Sequence, residues 1–148
     1  MKNTNEMELI FESRSVNEGF ARVAVAAFMT QLNPTLEEVA DVKTAISEAV
    51  TNAIIHGYEN EIHNISIRCR IDEKKMYVEV RDEGKGIADI KQAMEPLFTT
   101  RPELERSGMG FSFMEAFMDE VIVESKVNEG TVVKMQKTIG KGRSIWTT

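Results

Sequence analysis

The stretch SEAVTNAIIHG, Ser47 to Gly57, decides the fold. Together with the residues before it, it sets Val42, Ala45, Ile46, Ala49, Val50, Ala53 and Ile54 at helical spacing, a single apolar stripe. Thr35 predicts the start of this helix, with Glu38 three residues on as a capping box, and Gly57 predicts its stop after His56. At about 100° per residue, Glu48 and Asn52 fall beside each other just past one edge of the stripe. A border position lets polar groups look into a cleft while the stripe holds the helix rigid. Asn52 offers a neutral oxygen to a hard cation such as magnesium. Glu48 can accept a proton from a hydroxyl or water near a terminal phosphate. Alone, such a pair on a helix is more often an ordinary solvated rim.

Downstream the period changes from helical to two. Ile65, Ile67, Cys69 and Ile71 alternate with polar residues, as do Met76, Val78 and Val80, with Asp72–Lys75 between them, which predicts a hairpin. Asp82 is in phase with Val78 and Val80 and so faces the core side of the sheet, where a carboxylate needs a partner such as an exocyclic amine. In VRDEGKGI, Val80 to Ile87, Gly84 and Gly86 permit tight turns against a flat ring, although an Asp-x-Gly turn leaving a strand is common. Neither the dinucleotide-binding glycine pattern nor the phosphate-loop pattern occurs in the chain. Residues 83–107 form a long polar connection with at most a short helix near Ile90–Met94. Gly108 and Gly110 stand where a third helix, Met109–Asp119, begins, and free backbone N–H groups at such a terminus bind phosphate. Arg106, just before, can reach a terminal phosphate as a charged donor.

The remaining elements are a first strand at Met7–Ser13, a helix from an Asn17 cap to about Leu32, and a second hairpin, Val121–Val127 with Thr131–Lys137. Helices on one face of a mostly antiparallel sheet make an α+β fold, a two-layer α/β sandwich. On the first helix Phe20, Val23, Ala24, Ala27 and Phe28 are expected to form the core stripe. The opposite face then carries Arg22, Val25, Ala26 and Met29, an apolar surface with one arginine that suggests a partner interface.

The chain has 148 residues and a mass of 16.7 kDa, which suits one domain, expected over residues 1–138 with a frayed tail at 139–148. The net charge of -6 argues against a general nucleic-acid binder, although the residues after Glu129 include basic groups and no acids. A single cysteine, Cys69, excludes an internal disulfide and a cysteine metal cluster, and two histidines make a metal-hydrolase site improbable. His56 falls in the apolar stripe near the C-terminal end of its helix, where a core or capping role is expected, and His63 in a turn. No apolar run approaches a membrane span and the N-terminus lacks a signal-peptide core, so a cytoplasmic home is expected.

Taken in order, the motifs resemble a known family. Glu48 and Asn52 resemble its N box, DEGKGI its first glycine box, PLFTT (Pro96–Thr100) its phenylalanine box and SGMGF (Ser107–Phe111) its second glycine box. The resemblance is to the ATP-binding superfamily of gyrase, Hsp90, histidine kinases and MutL, and within it to the small serine-kinase anti-sigma factors of sporulation. It implies the Bergerat-type ATP-binding fold, with helices on a mostly antiparallel mixed sheet. It implies that Asn52 holds magnesium, that Glu48 is the base for a substrate serine, and that Asp82 binds the adenine amine with Gly84, Gly86 and Ile87 close by. It further implies nucleotide contacts from Thr99, Thr100, Ser107, Gly108, Met109, Gly110 and Phe111 under a lid of roughly residues 90–107, and from Thr131 near the adenine. Members of the family phosphorylate an anti-anti-sigma protein with Mg-ATP, leaving ADP, and as homodimers hold a sigma factor inactive. Arg22 matches their partner-binding arginine. Trp146 and its neighbours match nothing in the family. Two other readings stay open at this point: a nucleotide-gated binding module without turnover, and a detached histidine-kinase ATP domain. The latter is weakened because the chain has no helical dimerisation segment with a phospho-accepting histidine.

Overall fold

The computed structural model describes residues 2–94 and 110–140. Five strands, β1 (Thr4–Glu12), β2 (Asn64–Asp72), β3 (Lys75–Asp82), β4 (Glu120–Lys126) and β5 (Gly130–Thr138), form one sheet in the order β1-β2-β3-β5-β4. Every pairing among them is antiparallel. Helices α1 (Val16–Met29), α2 (Leu36–Asn52) and α4 (Gly110–Phe117) make the second layer, and α3 (Ile90–Ala93) is a single turn. The α+β two-layer sandwich is therefore as expected, and both hairpins fall where the alternation put them.

The core is the inner row of β2 and β3 against the α2 stripe. Ile65, Ile67, Cys69, Ile71, Met76, Val78 and Val80 meet Val42, Ala45, Ile46, Ala49 and Val50, all of them buried. Burial pushes the Cys69 thiol up to about 12, so it is a packing group rather than a reactive one. The outer face of the sheet is charged in alternation: Glu8, Arg68, Glu79 and Lys134 lie side by side across β1, β2, β3 and β5. Arg68 meets Glu8 at 3.1 Å and Lys134 meets Glu124 at 2.8 Å, while the Arg70 guanidinium sits 4.2 Å from the centre of the Tyr77 ring. Each exposed pair contributes little alone, but the alternation keeps the open face polar.

Helix α2 begins as the sequence indicates, with Thr35 Oγ1 accepting from the Glu38 N–H at 3.1 Å and Glu38 Oε1 accepting from the Thr35 N–H at 2.9 Å. Its end differs: after Asn52 the chain widens into a π turn over Ala53–Gly57, with the Tyr58 N–H donating to Ala53 O at 2.9 Å. Lys137 holds the far end of α4, donating to Phe117 O at 2.7 Å.

Helix α1 is rotated relative to expectation. Ala21, Val25 and Met29 are fully buried, whereas Phe20 and Val23 are 53% and 57% exposed. Val25 and Met29 are therefore core residues and leave the partner surface assigned to them, while Arg22 and Ala26 remain partly exposed. The helix is apolar nearly all round, so spacing admits two stripes, and the small side chain of Ala21 lets one of them approach the neighbouring layer closely. Asn17 is not the cap either. The helix starts at Val16, and the Asn17 side chain reaches back to donate to Glu12 O at 2.9 Å.

The packed chain also extends beyond residue 138. Ile139 is fully buried with its N–H on Lys74 O at 2.8 Å, and the Gly140 N–H donates to both Glu38 carboxylate oxygens at 3.0 Å. Residues 139 and 140 thus belong to the fold rather than to a tail, and residues 141–148 lie outside the described residues. Glu38 serves a helix cap and the segment after β5 at once. Glu38→Ala should cost about 2–3 kcal/mol in urea unfolding, more than a capping box alone. A loss below about 0.5 kcal/mol would show that the bonds to Gly140 contribute nothing.

Candidate functional site

The site is built around Asp82, the last residue of β3. Its alternation with Val78 and Val80 turns it inward, and it is 7% exposed. The Gly84 N–H donates to its Oδ1 at 2.9 Å. Burial pushes its carboxyl up to about 6, against the pull of backbone N–H bonds from Gly84 and Thr131. The carboxylate lies directly against the end of the α2 helical segment: a Cβ on Gly57 would sit 2.8 Å from Asp82 Oδ1. The π turn brings Gly57 here, and its carbonyl accepts from the Lys85 N–H at 2.9 Å.

A cavity of about 460 Å³ opens between α2, the end of β3, residues 85–93, the start of α4 and the β4–β5 turn. Its floor is apolar, with Ala49, Ala53, Val80, Phe111 and Val133, and its polar groups are few: Asn52, His56, Asp82, Lys85, Asp89, Gln92, Asn128 and Thr131. That composition suits a flat, partly apolar ligand oriented by a handful of hydrogen bonds. Gly86 takes φ +75° on the wall, where a Cβ would collide with the Lys126 carbonyl. The Asn128 N–H donates to Lys85 O at 2.6 Å, so the β4–β5 turn and the glycine loop brace each other. Ser125 supports both, accepting from the Ile87 N–H at 2.8 Å and meeting the Thr131 hydroxyl at 2.8 Å.

Glu48 and Asn52 both aim at the start of α4. A Cβ on Gly110 would lie 3.4 Å from Glu48 Oε2 and 3.2 Å from Asn52 Nδ2. The Glu48 carboxylate and the Asn52 amide thus converge at Gly110, the first described residue of α4.

The structure gathers Asn52, Asp82, Gly86, Ile87, Gly110, Phe111 and Thr131 on the cavity, with Glu48 beside it. Gly84 is different: it does not line the cavity but packs its backbone on the Gly57 carbonyl, where a Cβ would collide. That packing shapes the loop. Thr99, Thr100, Arg106, Ser107, Gly108 and Met109 lie outside the described residues, as does PLFTT. Sequence reasoning missed Lys85, Gln92 and Asn128 as wall residues, and it read His56 as a core or capping group when it lines the cavity. Only the lysine between two loop glycines offered a signal for any of these.

The Asn52 side-chain nitrogen is buried without a hydrogen-bond partner among the described residues, the mark of a group that awaits a ligand or water. Among the described residues no group of three or more His, Cys, Asp or Glu could hold a metal unaided. This donor set fits magnesium carried by a phosphate ligand, with Asn52 supplying one oxygen once its amide is turned.

A two-layer architecture with this site has known counterparts. The family model described as histidine kinase-like ATPase domain matches residues 11–137. An anti-sigma F factor from a Thermoanaerobacter species is 61% identical over 143 residues, spanning 97% of this chain and all of the relative. Those of Geobacillus kaustophilus and Geobacillus stearothermophilus are 60% and 62% identical, over 95% and 90% of this chain and 97% and 92% of their own lengths. The chain belongs to the anti-sigma F factor branch of the histidine kinase-like ATPase domain family. Among the described residues no helix is long and apolar enough to cross a membrane.

The raised Asp82 value has a thermodynamic consequence. Between its ordinary value of 3.8 and about 6, the folded state binds more protons at this site than the unfolded state. The stability contributed by the protonated form is complete below the ordinary value and is lost as pH rises toward 6. The free energy of unfolding should therefore fall by about 2–3 kcal/mol over this range relative to Asp82→Asn, which removes the titration. Parallel stability curves for the two proteins from pH 4 to 7 would show that Asp82 is not desolvated.

Proposed function

We propose that this chain is a protein serine/threonine kinase and anti-sigma factor. It binds Mg-ATP in the cavity, phosphorylates a serine of an anti-anti-sigma protein, and as a homodimer binds and inhibits a sporulation sigma factor in the cytoplasm. The observation that carries the kinase reading is the convergence of Glu48, Asn52 and the start of α4 beside a cavity whose buried carboxylate is Asp82. The names of the relatives support the sigma-factor reading.

In this account Asp82 accepts a hydrogen bond from the adenine amine and the Thr131 hydroxyl lies close to the base. The backbone around Gly110 and Phe111 faces the phosphates, with Ser107, Gly108 and Met109 ahead of them in the chain, and Thr99 and Thr100 as further nucleotide contacts. Magnesium, held through Asn52, would neutralise charge on the phosphates. Glu48 accepts the proton of the serine hydroxyl as its oxygen bonds to the γ-phosphorus. The bond from that phosphorus to the β-phosphate oxygen breaks, ADP leaves, and Arg106 is assigned to the terminal phosphate. Positioning and charge neutralisation account for most of the rate.

The partner surface is proposed on α1 around Arg22 and Ala26. The Arg22 guanidinium bonds Glu18 at 3.3 Å and Ser47 at 3.4 Å, so it also touches α2 one residue before Glu48. Its Nε is buried without a hydrogen-bond partner among the described residues.

Incubation with magnesium, γ-labelled ATP and a candidate anti-anti-sigma protein tests the kinase reading. Acid-stable label should appear on serine, and Glu48→Gln should reduce it about a hundredfold or more while ATP binding persists. ATP binding without transfer would instead leave a nucleotide-gated sequestering module. Arg22→Ala should weaken binding of the protein partners about tenfold and spare ATP. Unchanged affinity for both partners would remove Arg22 from the interface.

A further inference from the structure

Tyr58 lies just past the π turn, is 7% exposed, and does not line the cavity. Its hydroxyl nevertheless makes two short bonds. It donates to Asn64 O, at the start of β2, at 2.6 Å, and it accepts from the Glu83 N–H at 2.7 Å. A phenol has one proton to donate and lone pairs to accept with, so this hydroxyl is satisfied on both sides.

The Glu83 N–H belongs to the same peptide unit as the Asp82 carbonyl. On the opposite side that carbonyl packs on Gly130, where a Cβ would collide with it. The peptide following Asp82 is thus gripped between the Tyr58 hydroxyl and the Gly130 backbone. The orientation of this peptide leads directly into the turn that places the Gly84 N–H on Asp82 Oδ1.

Tyr58 is itself fixed. Its ring stands 4.9 Å from the His63 ring, and its carbonyl accepts from the Glu61 N–H at 2.9 Å. Buried Ser13 then ties this loop to the end of β1, donating to Glu61 O and accepting from the His63 N–H, both at 2.9 Å. A group with so many restraints can act as a fixed reference for the loop it touches.

We propose that Tyr58 is a positioning residue for base recognition: its hydroxyl fixes the peptide after Asp82 and thereby the aim of the Asp82 carboxylate at an exocyclic amine. This rests on the reading of the cavity as an ATP site. Adenine presents an amine where hypoxanthine presents a carbonyl, so the ratio of ATP to ITP affinity reports the Asp82 contact. A purely structural role for Tyr58 would weaken both nucleotides alike.

The test is titration of wild type, Tyr58→Phe and Asp82→Asn with Mg-ATP and Mg-ITP. Tyr58→Phe, folded by circular dichroism, should lower the ATP/ITP ratio about tenfold, the worth of one well-aimed hydrogen bond. An unchanged ratio, or equal loss of both nucleotides, overturns the proposal while leaving the ATP site intact. If wild type does not prefer ATP, or if Asp82→Asn keeps the preference, the adenine reading itself fails and the role of Tyr58 falls with it. Should Tyr58→Phe not fold, protein carrying 3-fluorotyrosine has a weaker acceptor in an almost unchanged shape. The other tyrosine, Tyr77, lies under Arg70 on the outer sheet face. The ratio should then fall by a smaller factor, and a ratio equal to wild type overturns the proposal.

Discussion

One carboxylate, buried at the end of a central strand, constrains the rest of this molecule. Asp82 can stay inside only where backbone N–H groups reach it and neighbouring chain comes close enough to exclude water. Gly84 and Thr131 supply the N–H groups. Gly57 supplies the close approach, because any side chain there would occupy the position of the carboxylate. The π turn that ends α2 brings Gly57 to this contact, and π turns often mark functional sites. The nucleotide-sized cavity is the space left beside this arrangement.

The same helix serves two further tasks. Its apolar stripe is the centre of the core, and its border carries Glu48 and Asn52 toward the start of α4. On its other flank Ser47 meets Arg22 of α1, so the proposed partner contact and the proposed base are adjacent in the chain. Rigid packing of the stripe permits this, since side chains seated on a fixed helix hold their aim better than side chains on loops. It also puts the proposed partner contact and the proposed phosphate site on two flanks of one element.

Much of this was legible in the sequence because it depends on local periodicity. The alternation of Ile65 to Ile71 and of Met76 to Val80 fixed a hairpin, and its phase turned Asp82 inward. Thr35 and Glu38 marked a capping box, and the helical angle set Glu48 beside Asn52. What failed was tertiary. On α1, apolar residues surround the axis, and only packing against α2 and the sheet selects Ala21, Val25 and Met29 over Phe20 and Val23. The packing of Gly84 on Gly57 was hidden too, because a glycine in a turn carries no mark of which backbone it packs against. Lys85 and Asn128 come together through segments far apart in sequence, as do Tyr58 and Glu83, and Glu38 and Gly140, 102 residues apart. No local pattern announces such pairs.

The most direct test is a crystal structure of the protein with magnesium and ADP. The account predicts the adenine amine within hydrogen-bond distance of an Asp82 carboxylate oxygen, magnesium on the Asn52 side-chain oxygen, and phosphates at the start of α4. Adenine seated away from Asp82, or phosphates remote from Glu48 and Asn52, would contradict it.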